Sequence, residues 1–229
     1  MRYFLPCLLL TLLFGCDIKR TKPPIKAEFD DALLYNEPSG EDIIPERNEK
    51  RYAWQKPEFV IDLLGQLDDQ VVADIGAGTG YFAFRLVSKA EKVIAVDIDP
   101  NMIDLMELFK DNLDTVTQAK IDMRLATPDD PQLQEEEVDV VIIINTIGYI
   151  DERVAYLQNL IKSLKPEGFL FIVDFKMKRI PDDIAPSSDF RVNMLELEED
   201  LMKSGFETVD VDDKSLDYQY IVKAFKPSS

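Results

Sequence analysis

The sequence predicts an α/β fold: a doubly wound, mostly parallel sheet of seven strands, helices on both faces, and an antiparallel hairpin at the C-terminal end. Three observations predict it. Short apolar or β-branched runs alternate with stretches of helical periodicity from about residue 71 onward. A glycine-rich turn joins the first of those runs to a helical pattern. The last two strand-like runs, 206–211 and 218–225, lie too close together to enclose a crossover helix, so they must pair antiparallel.

Before the fold come two other segments. Arg2 precedes an apolar stretch from Phe4 to Phe14 that ends at Gly15-Cys16. Its length suits the core of a signal peptide and is too short to span a bilayer as a helix. Leu13-Phe14-Gly15-Cys16 resembles a bacterial lipobox, with Phe14 bulkier than the usual residue there. Residues 1–15 are therefore expected to be removed, with Cys16 lipidated and Cys7 lost, which leaves no cysteine pair for a disulfide. Two or three acyl chains would anchor the chain stably, at about 0.8 kcal/mol per buried methylene. The expected location is the bacterial cell envelope, as a membrane-anchored lipoprotein; an unused signal would leave the chain cytoplasmic. Residues 16–44 carry charges, Pro23, Pro24 and Pro38 with little apolar periodicity, and read as the lipidated N-terminus and a tether.

The domain is expected over 45–229, within the range of a single core. Ile61, Leu64 and Leu67 share a helical face, predicting a helix packed on the sheet ahead of the first strand. Arg51, Trp54 and Gln55 just before it are candidates for a lid, Trp54 first of all for packing. The first strand, 71–75, carries Val71, Val72, Ala73, Asp74 and Ile75, and Gly76, Gly78 and Gly80 follow. Glycines suit a sharp turn that a ligand approaches where a Cβ would collide. A dinucleotide fingerprint needs Gly-x-Gly-x-x-Gly, but position 81 is Tyr, and Asp74 would repel a pyrophosphate. A cationic ligand would instead be attracted.

A helix is expected over 79–89, a second strand over 92–97 ending in Asp97, and a helix over 100–112 with Asp99 as N-cap and Pro100 at its first position. Asp97, at a strand's carboxyl end, is placed to accept hydrogen bonds from both hydroxyls of a ribose. Further strands are expected at 120–125, 138–144 and 168–174, and helices at 152–163 and 194–204, the last closed by Gly205.

The run Val72 to Tyr81 resembles motif I of the class I S-adenosylmethionine-dependent methyltransferases. Asp97, the buried run Val138–Ile144 followed by Asn145-Thr146, and Lys165-Pro166-Glu167-Gly168 before Phe169–Val173 continue the resemblance in order. It implies a Rossmann-like sheet and S-adenosylmethionine as cofactor, whose sulfonium and ammonium groups are the positive charges that Asp74 favours. The cofactor-binding candidates are Asp74, Gly76, Ala77, Gly78, Gly80, Asp97, Ile98, Asp129 and Asn145. Asp129 is chosen for the adenine because this chain has Thr127 where the family commonly has Asp.

Methyl transfer is an in-line displacement at carbon, so a base is needed only if the acceptor must lose a proton. Some methyltransferases that this chain resembles carry adjacent histidines after the fourth strand; this chain has none anywhere, and Thr146-Ile147-Gly148-Tyr149-Ile150 stands there. Asn145, Tyr149 and Asp151 remain as catalytic candidates, and the base stays unassigned. With 44 acids against 26 bases, the net charge of −18 disfavours a nucleic-acid acceptor, and without histidine no metal site is expected. The acceptor is left as a small molecule, a lipid-borne group or a protein, and oligomeric state stays open. Two classes remain: a membrane-tethered methyltransferase, and a non-catalytic lipoprotein that reuses the fold for ligand binding or scaffolding. The intact Asp74, glycine triplet and Asp97 favour the first.

Overall fold

The computed structural model describes residues 47–227; the expectations for the signal peptide, Cys16 and the tether lie outside the described residues. Two helices, α1 (Arg47–Gln55) and α2 (Pro57–Asp62), precede the sheet. The helix expected from Ile61, Leu64 and Leu67 is α2, which ends at Asp62, so Leu64 and Leu67 join the core from beyond it. α1 is a separate helix, broken from α2 at Lys56, which sits in the left-handed region at φ 49°. Pro57 explains the break: its ring disfavours helical geometry in the residue before it, yet fits the first turn of a new helix.

Then come β1 (Val71–Ile75), α3 (Ala83–Leu86), β2 (Lys92–Asp97), α4 (Pro100–Lys110), α5 (Thr115–Gln118), β3 (Ile121–Leu125) and β4 (Val138–Ile144). They are followed by α6 (Arg153–Ser163), β5 (Leu164–Phe175), α7 (Met194–Lys203), β6 (Thr208–Asp212) and β7 (Gln219–Phe225). The sheet order is β3-β2-β1-β4-β5-β7-β6. The first five strands run parallel and β7 pairs antiparallel with both β5 and β6. This is the expected Rossmann-like, doubly wound seven-stranded sheet with its C-terminal hairpin. The hairpin's second strand enters between β5 and β6, so β6 forms the edge.

The central strands are buried on both faces, which is why they read as unbroken apolar runs. On one face Val72, Val93, Ile142 and Val173 pack with Phe82, Leu86, Met106 and, from α2, Val60 and Ile61. On the other, Ala73, Ile94, Val141, Ile143 and Ile172 meet Leu157 and Leu160 of α6 and Leu197 and Leu201 of α7. Caps fall where chemistry places them. Asp99 accepts from the Asn101 N–H at the start of α4, and Asn193 accepts from the Leu195 N–H at the start of α7. At the end of α7, Gly205 (φ 103°) lets its own N–H reach the Met202 carbonyl and the Phe206 N–H reach that of Leu201.

Two elements differ from expectation. The helix expected over 79–89 is a single turn, Ala83–Leu86, because positive φ at Gly76, Gly78 and Gly80 holds the backbone out of helical geometry until the turn is complete. The fifth strand starts earlier than 168. Residues 165–168 form an irregularity inside β5 rather than a turn before it, with Glu167 at φ 65° and the register shifting between Val138 and Val140. Among the described residues, no helix is long and apolar enough to cross a membrane.

Candidate cofactor site

The site forms where the carboxyl ends of β1, β2 and β4 meet, the place where open α/β sheets bind ligands. Register sets Asp74 of β1 between Ala95 of β2 and Ile142 of β4. Leaving β1, the chain turns back over β2: the Gly76 and Ala77 N–H groups both donate to the Val96 carbonyl, at 2.8 and 3.0 Å. The Gly78 N–H then donates to Asp97 Oδ2 at 2.7 Å, while Asp97 Oδ1 accepts from the Asp99 N–H at 2.9 Å.

The three glycines differ in role. A Cβ on Gly76 would lie 2.4 Å from the Thr146 side chain, and one on Gly80 would lie 2.5 Å from the Phe84 ring. Those two are required by the protein's own packing. A Cβ on Gly78 would meet nothing within 4 Å, yet its φ is +57°. That open space faces no protein atom, as expected where a ligand is to approach.

Asp74 is buried, with 3% of its surface exposed. Burial pushes its pKa up to about 7; the Arg51 charge and the Ala83 N–H pull it down, and Asp97 pushes it further up. Arg51 arrives from α1, its guanidinium 4.1 Å from the centroid of the Tyr81 ring, and burial lowers its pKa to about 10, so it remains a cation at neutral pH. Asp74 and Arg51 are thus opposite charges set at one end of the glycine turn. At the other end Ile98, which follows Asp97, and Leu125, the register partner of Asp97, are half-exposed at the tips of β2 and β3. They offer apolar surface beside the carboxylate, suited to a flat base.

Asn145 follows β4 at φ 60°, its N–H donating to the Val173 carbonyl at 2.9 Å. Its side-chain oxygen accepts from Gln55 Nε2 at 3.5 Å and from Gln219 Nε2 at 2.5 Å. Both glutamines are fully buried. Gln55 also accepts from Arg51 Nε at 2.5 Å. A chain of polar side chains therefore runs from Arg51 through Gln55 and Asn145 to Gln219, tying α1 to β4 and β7. Of the lid candidates, Arg51 and Gln55 reach the site, whereas Trp54 packs its ring 5.6 Å from that of Phe175.

Tyr149 sits on a 3-10 turn, Ile147–Tyr149, with its ring stacked on Phe190 at 5.3 Å. Burial, and secondarily Asp174, raise its pKa above that of an ordinary tyrosine. Asp151 is exposed in the turn before α6. Asp129 is exposed in a turn closed by Thr127 and Asp130, and the Ala126 N–H at the start of that loop donates to the Asp97 carbonyl.

Three contributors were missed by sequence reasoning. Leu125 reads as an ordinary strand end. Gln219 is a buried amide opening an otherwise apolar strand, a signal that was available. Asp174 ends the apolar run of β5 as Asp74 nearly ends that of β1. It is buried and its Oδ1 accepts from the Phe175 N–H at 2.6 Å; burial pushes its pKa up to about 7, and the nearby Ile147 and Gly148 N–H groups of the turn that carries Tyr149 draw it down.

The residues present fit an adenosyl amino acid: an acid and a cation for an ammonium and a carboxylate, an open glycine cradle, and a carboxylate beside apolar surface for a nucleoside. Comparison with known proteins points the same way. Residues 73–172 match the family described as a methyltransferase domain. The cypemycin N-terminal methyltransferase of a Streptomyces species is 32% identical over 111 residues, covering 46% of this chain and 42% of that protein. The chain spans less than half the length of this curated relative. A SAM-dependent methyltransferase from Aquifex aeolicus superposes with a TM-score of 0.68 at 19% identity, over 83% of this chain and 98% of that one. The Haemonchus contortus phosphoethanolamine N-methyltransferase 2, solved in complex with S-adenosyl-L-methionine, superposes with a TM-score of 0.63 at 17% identity, over 76% of this chain and 53% of that one. At these identities the structural likeness is one of fold.

Proposed function

From a chain whose residues 73–172 match the methyltransferase domain family and whose sheet has the fold of S-adenosylmethionine-dependent enzymes, we propose that it is an S-adenosylmethionine-dependent methyltransferase tethered to a membrane through Cys16. The observation that carries the cofactor reading is the opposite-sign pair Asp74 and Arg51, set at one end of a glycine turn whose other end is Asp97. Asp74 and Arg51 would hold the ammonium and carboxylate of the amino-acid end, Gly78 would let the backbone approach, and Asp97 would take the ribose hydroxyls.

When bound, S-adenosylmethionine supplies a methyl group on a sulfonium leaving group. The protein's part is alignment and exclusion of water. Asp74 sets a negative charge beside the positive end of the ligand. Asn145, its amide oxygen held by Gln55 and Gln219, would orient the ligand. α1 covers the site from the outside through Arg51 and Gln55. The methyl acceptor is proposed to be a small molecule, a lipid-borne group or a protein, since a net charge of −18 opposes a nucleic acid.

Calorimetric titration of the full chain in detergent with S-adenosylmethionine, S-adenosylhomocysteine and NAD tests the cofactor reading. Micromolar binding of the first two and none of NAD is expected. Gly78→Val should lose at least about tenfold in affinity for both, because a side chain would fill the open cradle and φ +57° is hostile to a β-branched residue. A folded wild-type chain that binds neither adenosyl ligand would move the assignment to a non-catalytic lipoprotein. The tether is tested separately by fractionating cells that express Cys16→Ser. The variant is expected to leave the membrane fraction, and retention there would refute the anchor.

A further inference from the structure

We propose that Tyr81 is a positioning residue: it holds Arg51 as the receptor for the carboxylate of the cofactor's amino-acid end, so that the site prefers an adenosyl ligand with that carboxylate over one without it. The inference rests on the cofactor reading above and adds a residue that the reading does not use.

Tyr81 follows the glycine turn, and its ring is 5% exposed. Two guanidinium groups lie over it, Arg51 at 4.1 Å and Arg85 at 3.9 Å from the ring centroid. Arg85 is tied down independently: Nη1 donates to the Tyr81 carbonyl at 2.7 Å, and Nε lies 3.8 Å from Glu58 of α2. Phe82 braces the ring edge-on at 5.3 Å. The ring is therefore a fixed plate, with one cation neutralised by Glu58 and the other not.

Arg51 is the cation left over. Its Nε is used by Gln55, and among the described residues its two terminal nitrogens have no hydrogen-bond or ion-pair partner. Asp74 is near enough to act on it electrostatically without forming an ion pair. Bringing a second guanidinium to the same ring is opposed by burial and by repulsion from Arg85. Stacking on the ring face offsets part of that cost, because the quadrupole of an aromatic attracts a planar cation. The outcome is a guanidinium held over the ring within electrostatic reach of Asp74, with its two terminal nitrogens unpaired among the described residues, and such a fork can grip a carboxylate bidentately. Among the described residues the buried Tyr81 hydroxyl has no hydrogen-bond partner, so the ring rather than the hydroxyl accounts for the residue's place here.

The test is calorimetric titration of the full chain with S-adenosylmethionine and with decarboxylated S-adenosylmethionine, which differ only in the carboxylate. Wild type and Tyr81→Phe are expected to favour the carboxylate-bearing ligand about tenfold or more, the scale for a charge-assisted pair at a partly buried site. Tyr81→Leu and Arg51→Met should bring the ratio near one by weakening S-adenosylmethionine alone, with the decarboxylated ligand held within about threefold. A Tyr81→Leu variant that keeps the wild-type ratio, or weakens both ligands equally, overturns the proposal. If Tyr81→Leu does not fold, Arg51→Lys decides instead: it keeps the charge without the planar fork and should lose the preference. A wild-type chain that binds both ligands equally refutes the carboxylate receptor and leaves the cofactor reading standing. Binding of neither removes both.

Discussion

Asp74 illustrates how one side chain answers to two demands. A carboxyl buried to 3% exposure resists ionisation, and its pKa of about 7 reflects that cost. A cationic ligand needs the ionised form. Affinity for S-adenosylmethionine is therefore expected to rise as pH increases through about 7, with proton release on binding near neutrality. Titrations at pH 6 and pH 8 in buffers of different ionisation enthalpy measure both. In Asp74→Asn the dependence should flatten, and a wild-type affinity unchanged between the two pH values would refute this role. Asp74, the glycines and Asp97 were all legible in the sequence, because each follows from a backbone turn of known geometry. The room around each glycine was not: only the tertiary structure shows that a Cβ would collide at Gly76 and Gly80 and would meet nothing within 4 Å at Gly78.

At the scale of elements, α1 departs most from a simple reading. Arg51, Trp54 and Gln55 lie ahead of the helix predicted from Ile61, Leu64 and Leu67 and read as a lid, with Trp54 first of all for packing, rather than as a helix of their own. In α1 Tyr52 and Ala53 are exposed, and Arg51 and Gln55 dock the helix through polar and ring contacts, with Trp54 packing nearby. A helix held in this way opens at lower cost than one held by core burial. Gln55→Ala removes the bonds to Arg51 and Asn145, and amide hydrogen exchange across 51–55 should quicken about tenfold or more while exchange in β1 and β4 stays unchanged. Equal protection in the variant would show that the apolar contacts suffice. The break at Lys56 and the shortened α3 have local causes, a proline and three positive-φ glycines. Both causes were visible in the sequence, yet the helix boundaries depend on how far each influence extends.

Over the whole molecule, two buried carboxyls sit at the carboxyl edge of the sheet, Asp74 on β1 and Asp174 on β5, each with a pKa of about 7 against 3.8 unburied. A folded-state pKa raised above the unfolded one means that the folded chain binds more protons between those values. Their combined contribution to stability is therefore largest at the acid end of that window and falls as pH rises through about 7. Thermal denaturation should show Asp174→Asn losing less stability than wild type between pH 5.5 and pH 8 buffers, since the amide keeps an acceptor oxygen and cannot ionise. A parallel pair of curves would refute the assignment. The fold class was determined by the sequence alone, because alternation of buried apolar runs with helical stretches leaves few topologies, and because a short loop forces the final hairpin. The glycine turn and the two acids Asp74 and Asp97 were likewise determined locally, by backbone conformation and strand ends. Only the tertiary structure brought Gln219 to Asn145 across 74 positions and Gln55 to Asn145 across 90, and set Arg51 on the Tyr81 ring. Such contacts join residues whose neighbours in sequence impose no periodicity on them, so they follow from how packed elements meet rather than from any pattern along the chain.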